Sequence, residues 1–189
     1  MRKITLDIET TSATPGRVDP RAMELALIGI HDSKTDSYDS FVQEDLPRLW
    51  SVLEDADVLI GYNSDHFDIP ILNKYYPGDL SVIKSIDLLS SIRESLGRRL
   101  KLDSVAQATL GRKKTGSGLD SVRWWNEGDK EKVRAYCLED VKITKEIYEY
   151  ALAHGQLKYM DFNEKKSIPI DTSLWETGGR TTMNHTLSF

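Results

Sequence analysis

The hydrophobic pattern changes period partway along this 189-residue chain, and that change restricts the fold more than any other feature. Residues 3–9, Lys-Ile-Thr-Leu-Asp-Ile-Glu, alternate strictly. Ile4, Leu6 and Ile8 take one face and Thr5, Asp7 and Glu9 the other, which is the two-residue period of a strand. Thr10–Pro20 is rich in Thr, Ser, Pro and Gly and predicts a loop. Met23–His31 is an apolar run, as in a strand covered on both faces. After a polar turn, Ser37–Val42 alternates again with Tyr38 and Phe41. Three strands joined by short connections predict an antiparallel meander.

From Leu46 the spacing becomes helical. Leu46, Leu49, Trp50 and Leu53 mark a helix over 46–56, and Val58–Tyr62 a short strand ending at Gly61 and Asn63. A second helix starts near Phe67, with Pro70 tolerated in its first turn. Ser81–Ile86 is a short strand leading into a helix that ends near Leu96. Asp103 is placed as the cap of a helix reaching Leu110, and 111–118 is a loop. Asp129–Tyr150 is the longest helical pattern. Strands followed by alternating helix and strand predict an α/β fold, a mixed sheet with flanking helices. Residues 153–189 differ in character, with strand-like pieces at 156–161 and 167–170 and a polar final dozen.

Several acids lie where acids are costly. Asp7 and Glu9, two apart in a strand, project from the same face. Either that face is wet, or the two repel each other unless a cation lies between them. On the last helix, Val133, Cys137, Val141, Thr144, Tyr148 and Ala151 form an apolar stripe that contains Asp140, with Tyr136 at its edge. A charge facing a core needs an ion pair or a metal; Tyr136 by itself fits a core aromatic. Asp68 opens a helix, where the dipole favours an acid in any case, and Asn63 is an ordinary turn residue.

The segments "LDIET" at 6–10, "GYNSDHFDIPIL" at 61–72 and "YCLED" at 136–140 resemble, in order and setting, the three exonuclease motifs of the DEDD superfamily. The third has the Tyr-x-x-x-Asp form of the DEDDy branch. A DEDDh enzyme has histidine one place before the tyrosine position, which here is Ala135. "LKLDSVAQATLG" at 100–111 is similar to the segment between motifs two and three in the proofreading domains of family B DNA polymerases. The resemblance covers 1–152 and leaves 153–189 as a C-terminal extension.

This resemblance implies a ribonuclease H-like sheet and a 3′→5′ exonuclease using two divalent ions, Mg²⁺ or Mn²⁺, about 4 Å apart. Asp7 would bridge both ions, Glu9 and Asp140 would complete the one carrying the attacking water, and Asp68 would hold the other. Tyr136 would orient the water, since a phenol with a pKa near 10 is a poor base at pH 7. Thr10, Asn63 and Phe67 would meet the terminal nucleotide. The alternatives are an inert nucleic-acid-binding module, a DEDDy exoribonuclease, or an endonuclease such as a junction resolvase.

Charge and composition frame the partner. Thirty acids against 25 bases give a net charge of −5, which excludes a broadly basic coat. Between Arg93 and Lys114, however, seven bases face two acids, a patch fit for a phosphate backbone. Arg98, Arg99 and Lys113 are its expected contacts. Trp124 and Trp125 are either core or a stacking platform for an unpaired base. The expected partner is single-stranded DNA, with RNA as the alternative, alone or within a polymerase or repair complex. No apolar run approaches the roughly 18 residues of a membrane span. A lone Cys137 and an N-terminus without a signal-peptide core predict a cytoplasmic protein.

Overall fold

The computed structural model describes residues 1–12, 19–112 and 116–178. Its sheet has five strands: β1 (Lys3–Thr10), β2 (Leu25–Asp32), β3 (Ser37–Val42), β4 (Val58–Gly61) and β5 (Lys84–Asp87). They lie in the order β3-β2-β1-β4-β5, so β1 is central. The meander β1-β2-β3 is antiparallel, as its short connections require, while β4 and β5 run parallel to β1. Helices α1 (Leu46–Glu54), α2 (Asp68–Leu72), α3 (Leu88–Leu96), α4 (Leu102–Leu110), α5 (Gly118–Asn126) and α6 (Lys130–His154) flank it. This is the mixed α/β sheet of a ribonuclease H-like fold.

The two faces of β1 meet different cores. Ile4, Leu6 and Ile8 pack with Leu49, Leu53, Ile71 and Leu72 from α1 and α2. On the opposite side, Val58, Ile60 and Ile86 pack under Ile143 and Ile147 of α6 and Val105 of α4. The face bearing Thr5, Asp7 and Glu9 lies beneath α5 and α6 and is not wet; Thr5 and Glu9 are buried.

Two local expectations differ in the structure, and one further helix is revealed. Lys101, not Asp103, is the N-cap of α4; Asp103 lies inside the first turn, where the dipole favours it. Residues 118–126, which show no clear helical period in the sequence, form α5, nucleated by a capping box in which Ser117 and Asp120 exchange side-chain bonds with each other's backbone. Helix α6 continues one turn past Tyr150 because Ala151 is still buried, and stops at Gly155 in the left-handed conformation.

Beyond α6, β6 (Gln156–Asp161) and β7 (Glu164–Pro169) form a two-stranded hairpin. Leu157, Tyr159, Ile168, Ile170 and Trp175 join the same apolar cluster as Ile143 and Tyr148. Trp175 stacks on Tyr148, with ring centroids 5.3 Å apart. The Thr109 hydroxyl of α4 donates to the Lys158 carbonyl at 3.2 Å and accepts its N–H at 3.0 Å. Among the described residues, no helix is long and apolar enough to cross a membrane.

Arg2 staples the near end of the sheet, holding Asp32 at 2.6 Å and Asp55 at 2.8 Å. Its guanidinium lowers the Asp32 carboxyl below the usual carboxylate range. A depressed carboxyl adds stability above its unfolded pKa, and that stability is lost as the pH falls through the folded value. Asp32→Asn should therefore cost about 1 kcal/mol at pH 7. The cost should shrink toward zero by about pH 2–3, as measured by urea unfolding at both pH values.

Candidate active site

The site is built at the C-terminal end of the central strand. Asp7 and Glu9 project from β1 toward α6, and Asp7 sits opposite Gly29 of β2. A Cβ on Gly29 would fall 3.0 Å from Cys137 Sγ, 3.1 Å from Leu138 Cδ2 and 3.2 Å from Val141 Cγ2. The missing side chain thus lets α6 come down onto the sheet. That approach puts Cys137 over the two strand acids, with Tyr136 and Asp140 beside it along the same helix. The Cys137 thiol donates to the Asp7 carbonyl at 3.3 Å and lies 3.7 Å from Asp7 Oδ2. Ligand atoms of Asp7, Glu9 and Cys137 all fall within 4.8 Å of one another. Asp140, one turn on, is buried at 4% exposure.

Asp68 arrives from another direction. Strand β4 pairs with β1 only as far as Thr5, so β1 runs on past it with the Ile8 N–H open. Asp68 Oδ1 accepts that N–H at 3.1 Å. The turn that delivers Asp68 is tight. A Cβ on Gly61 would fall 2.4 Å from Ser64, and Asn63 is left-handed with φ 69°. The buried Asp87 carboxylate pins this turn by accepting from the Asn63 N–H at 2.7 Å, while also capping α3 at the Leu89 N–H, 2.9 Å.

Electrostatics link the acids through Glu9 and Cys137, while Asp68 and Asp140 stand outside the three-residue cluster. Burial pushes the Asp68 carboxyl up to about 8, and Asp87 and Glu9 add to the rise against the Ile8 N–H. Burial also raises the Cys137 thiol, and Asp7, Glu9 and Asp140 raise it further. So a proton stays on sulfur, and the donors on offer are hard carboxylate oxygens. That donor set, in a pocket of concentrated negative potential, fits Mg²⁺ or Mn²⁺ better than a soft ion.

The remaining expected residues are not all gathered at this centre. Tyr136 is buried and packs edge-on against Trp124, with ring centroids 5.9 Å apart. Trp124 therefore belongs to the core, while Trp125 is half-buried beneath Lys130. The Thr10 hydroxyl donates to the Ser12 carbonyl at 2.9 Å. Phe67 packs on the α1–α2 core. Arg99 donates to Asn63 Oδ1 at 2.6 Å. Arg98 lies over the Tyr159 ring, 3.5 Å from Asp161. Lys113 lies outside the described residues. Arg112 bonds Glu139 and Glu146 of α6 at 3.3 and 2.8 Å, which makes this base of the cationic segment an internal staple.

Comparison with known proteins agrees with this architecture. Residues 4–152 match the RNase_H_2 model of the RNase_H superfamily. The fold is similar to that of the family B DNA polymerase from the hyperthermophilic archaeon Pyrobaculum calidifontis, with a TM-score of 0.63 and 22% identity. That match covers 80% of this chain and 24% of the polymerase, so this chain spans about a quarter of that protein's length. No curated protein matches the sequence. Matched through the whole sheet and most of α6, the chain belongs to the RNase H superfamily.

Proposed function

We propose that this protein is a metal-dependent 3′→5′ exonuclease of the DEDDy type, releasing nucleoside monophosphates from single-stranded ends, DNA in preference to RNA. The observation that carries the proposal is the clustering of Asp7 and Glu9 beside Cys137 of α6, with Asp68 bonded to the same strand at the Ile8 N–H and both Asp68 and Asp140 within electrostatic reach of the cluster. Asp7, Glu9, Asp68 and Asp140 would hold two divalent ions. Ions held there would polarise the phosphoryl oxygens and offset the charge of the scissile phosphate.

The chain's own groups supply the rest. Tyr136 stands one helical turn before Asp140, and its hydroxyl would orient the attacking water. The ring is fixed by Trp124. Asn63, its amide oxygen held by Arg99, would meet the terminal nucleotide together with the part of Phe67 left uncovered by the core. Thr10, whose hydroxyl is engaged within the chain, contributes through its backbone. The resemblance to polymerase proofreading domains favours DNA.

A 5′-labelled single strand incubated with Mg²⁺ or Mn²⁺ should shorten progressively from its 3′ end, and EDTA should stop it. Internal cuts at the earliest times would instead indicate an endonuclease. Binding without cleavage under either metal would indicate an inert module. DNA and RNA strands run side by side give the sugar preference. Tyr136→Phe keeps the ring against Trp124 and removes only the hydroxyl. It should lower kcat about a hundredfold and leave KM and the melting temperature unchanged.

A further inference from the structure

The β6–β7 hairpin lies beyond the segment matched to the superfamily, and its tip is built at an energetic cost. Asp161 pairs with Glu164, so the turn has two residues, Phe162 and Asn163. Among the described residues, the non-glycine ones with positive φ are Asp36, Asn63 and Phe162, the last at 52°. In a two-residue turn with positive φ at the first position only, that position normally belongs to glycine. Here it holds a bulky aromatic that is 97% exposed. Such a residue gains nothing from packing and is strained by its backbone, a combination that points to function.

The hairpin is rigidly mounted and continuous with the candidate active site. Its inner face is anchored by Leu157, Tyr159 and Ile168, and its outer face carries Lys158, Met160, Lys165 and Ser167. Arg98 sits over Tyr159 and reaches Asp161, which Lys166 also holds at 2.6 Å. The neighbouring Arg99 bonds Asn63 of the active-site turn, and Tyr62 fixes the same loop through the Leu100 carbonyl at 2.9 Å. Loop 98–101 and hairpin residues 158–166 together carry six bases against two acids. A path of cations thus runs from Asn63 to an exposed aromatic ring.

From this path we infer that the β6–β7 hairpin grips the single strand upstream of its 3′ end, with Phe162 stacked on a base and Arg98 and Lys166, on the same face as Tyr159, along the phosphates. The inference rests on the reading of the site as one that takes a single-stranded 3′ end. Cations tracking a backbone beside an exposed ring are the features that bind single strands without sequence preference. A docking site for a protein would account for Phe162 but not for the cationic path back to the active site.

Binding is measured by fluorescence anisotropy in Mg²⁺, using Asp7→Asn protein so that the probe survives. The probe is a labelled single strand of about 20 nucleotides, longer than a typical site. Phe162→Gly should weaken binding of the DNA or RNA strand about tenfold, and Phe162→Trp should retain it. Glycine suits the backbone at this position, so Phe162→Gly should melt no lower than the parent, which separates lost contact from lost folding. The paired changes Arg98→Gln and Lys166→Gln should reduce the salt slope by about 1.4. Unchanged affinity of Phe162→Gly for both strands would overturn the proposal and leave the tip to a protein partner. Wild-type protein that binds strands through Phe162 yet never cleaves them would overturn the exonuclease reading alone.

Discussion

Asp7→Asn and Asp140→Asn should each slow hydrolysis of a single-stranded 3′ end about a thousandfold, while the metal-free protein melts at the same or a higher temperature. The rate loss follows from several kcal/mol of transition-state stabilisation that depends on correctly held cations. The stability gain follows from geometry. Asp7, Glu9 and Asp140 surround the buried Cys137, and removing one of three like charges relieves repulsion in the empty site. Structural acids would behave oppositely, losing stability on neutralisation. Gly29→Val is the contrasting case. It should lose activity together with about 1–3 kcal/mol of stability, because its side chain would press into Cys137, Leu138 and Val141 and lift α6 from the sheet. Thermal melts and initial rates of the three variants separate these outcomes. An Asp140→Asn protein that cleaves at the parental rate would end the metal-site account.

The sequence exposes this architecture unevenly, and the reasons are physical. The meander was legible because the alternation of Ile4, Leu6 and Ile8 and the apolar run of Met23–His31 depend only on which faces are covered. The misplacement of Asp140 was legible because an acid within the apolar stripe of a 25-residue helix breaks a long, regular period. Helix α5 was hidden. Its capping residues Ser117 and Asp120 lie among glycines, and its apolar residues are few. The roles of Gly29 and Asp87 were invisible, since each depends on an element distant in sequence: α6 over β2, and the 63–65 turn beside α3. Arg112 counted as surface charge until α6 brought Glu139 and Glu146 against it. The hairpin's two strands were visible as faint patterns, but the strain at Phe162 is a property of the backbone that no pattern carries.

Asp68 should make the metal-free protein less stable as the pH rises from about 4 to about 8, contrary to the usual behaviour of a carboxylate. Burial and two neighbouring acids push its folded pKa up to about 8, whereas the unfolded chain titrates near 3.9. Across that window the folded state binds the extra proton, so stability declines with pH and levels off above the folded value. Even half of this displacement leaves about 1.4 kcal/mol to be lost between pH 5 and pH 8, a drop on the order of 5 °C. Asp68→Asn should flatten the decline, since an amide oxygen still accepts the Ile8 N–H and carries no charge. The same proton must leave when a cation takes its place. Calorimetric titration of Mn²⁺ at pH 7 in buffers of different ionisation enthalpy should therefore record about one proton released per protein, and none from Asp68→Asn. Equal pH profiles for the two proteins, with no proton released by either, would show that Asp68 is ionised in the empty site and that the acids do not share one field.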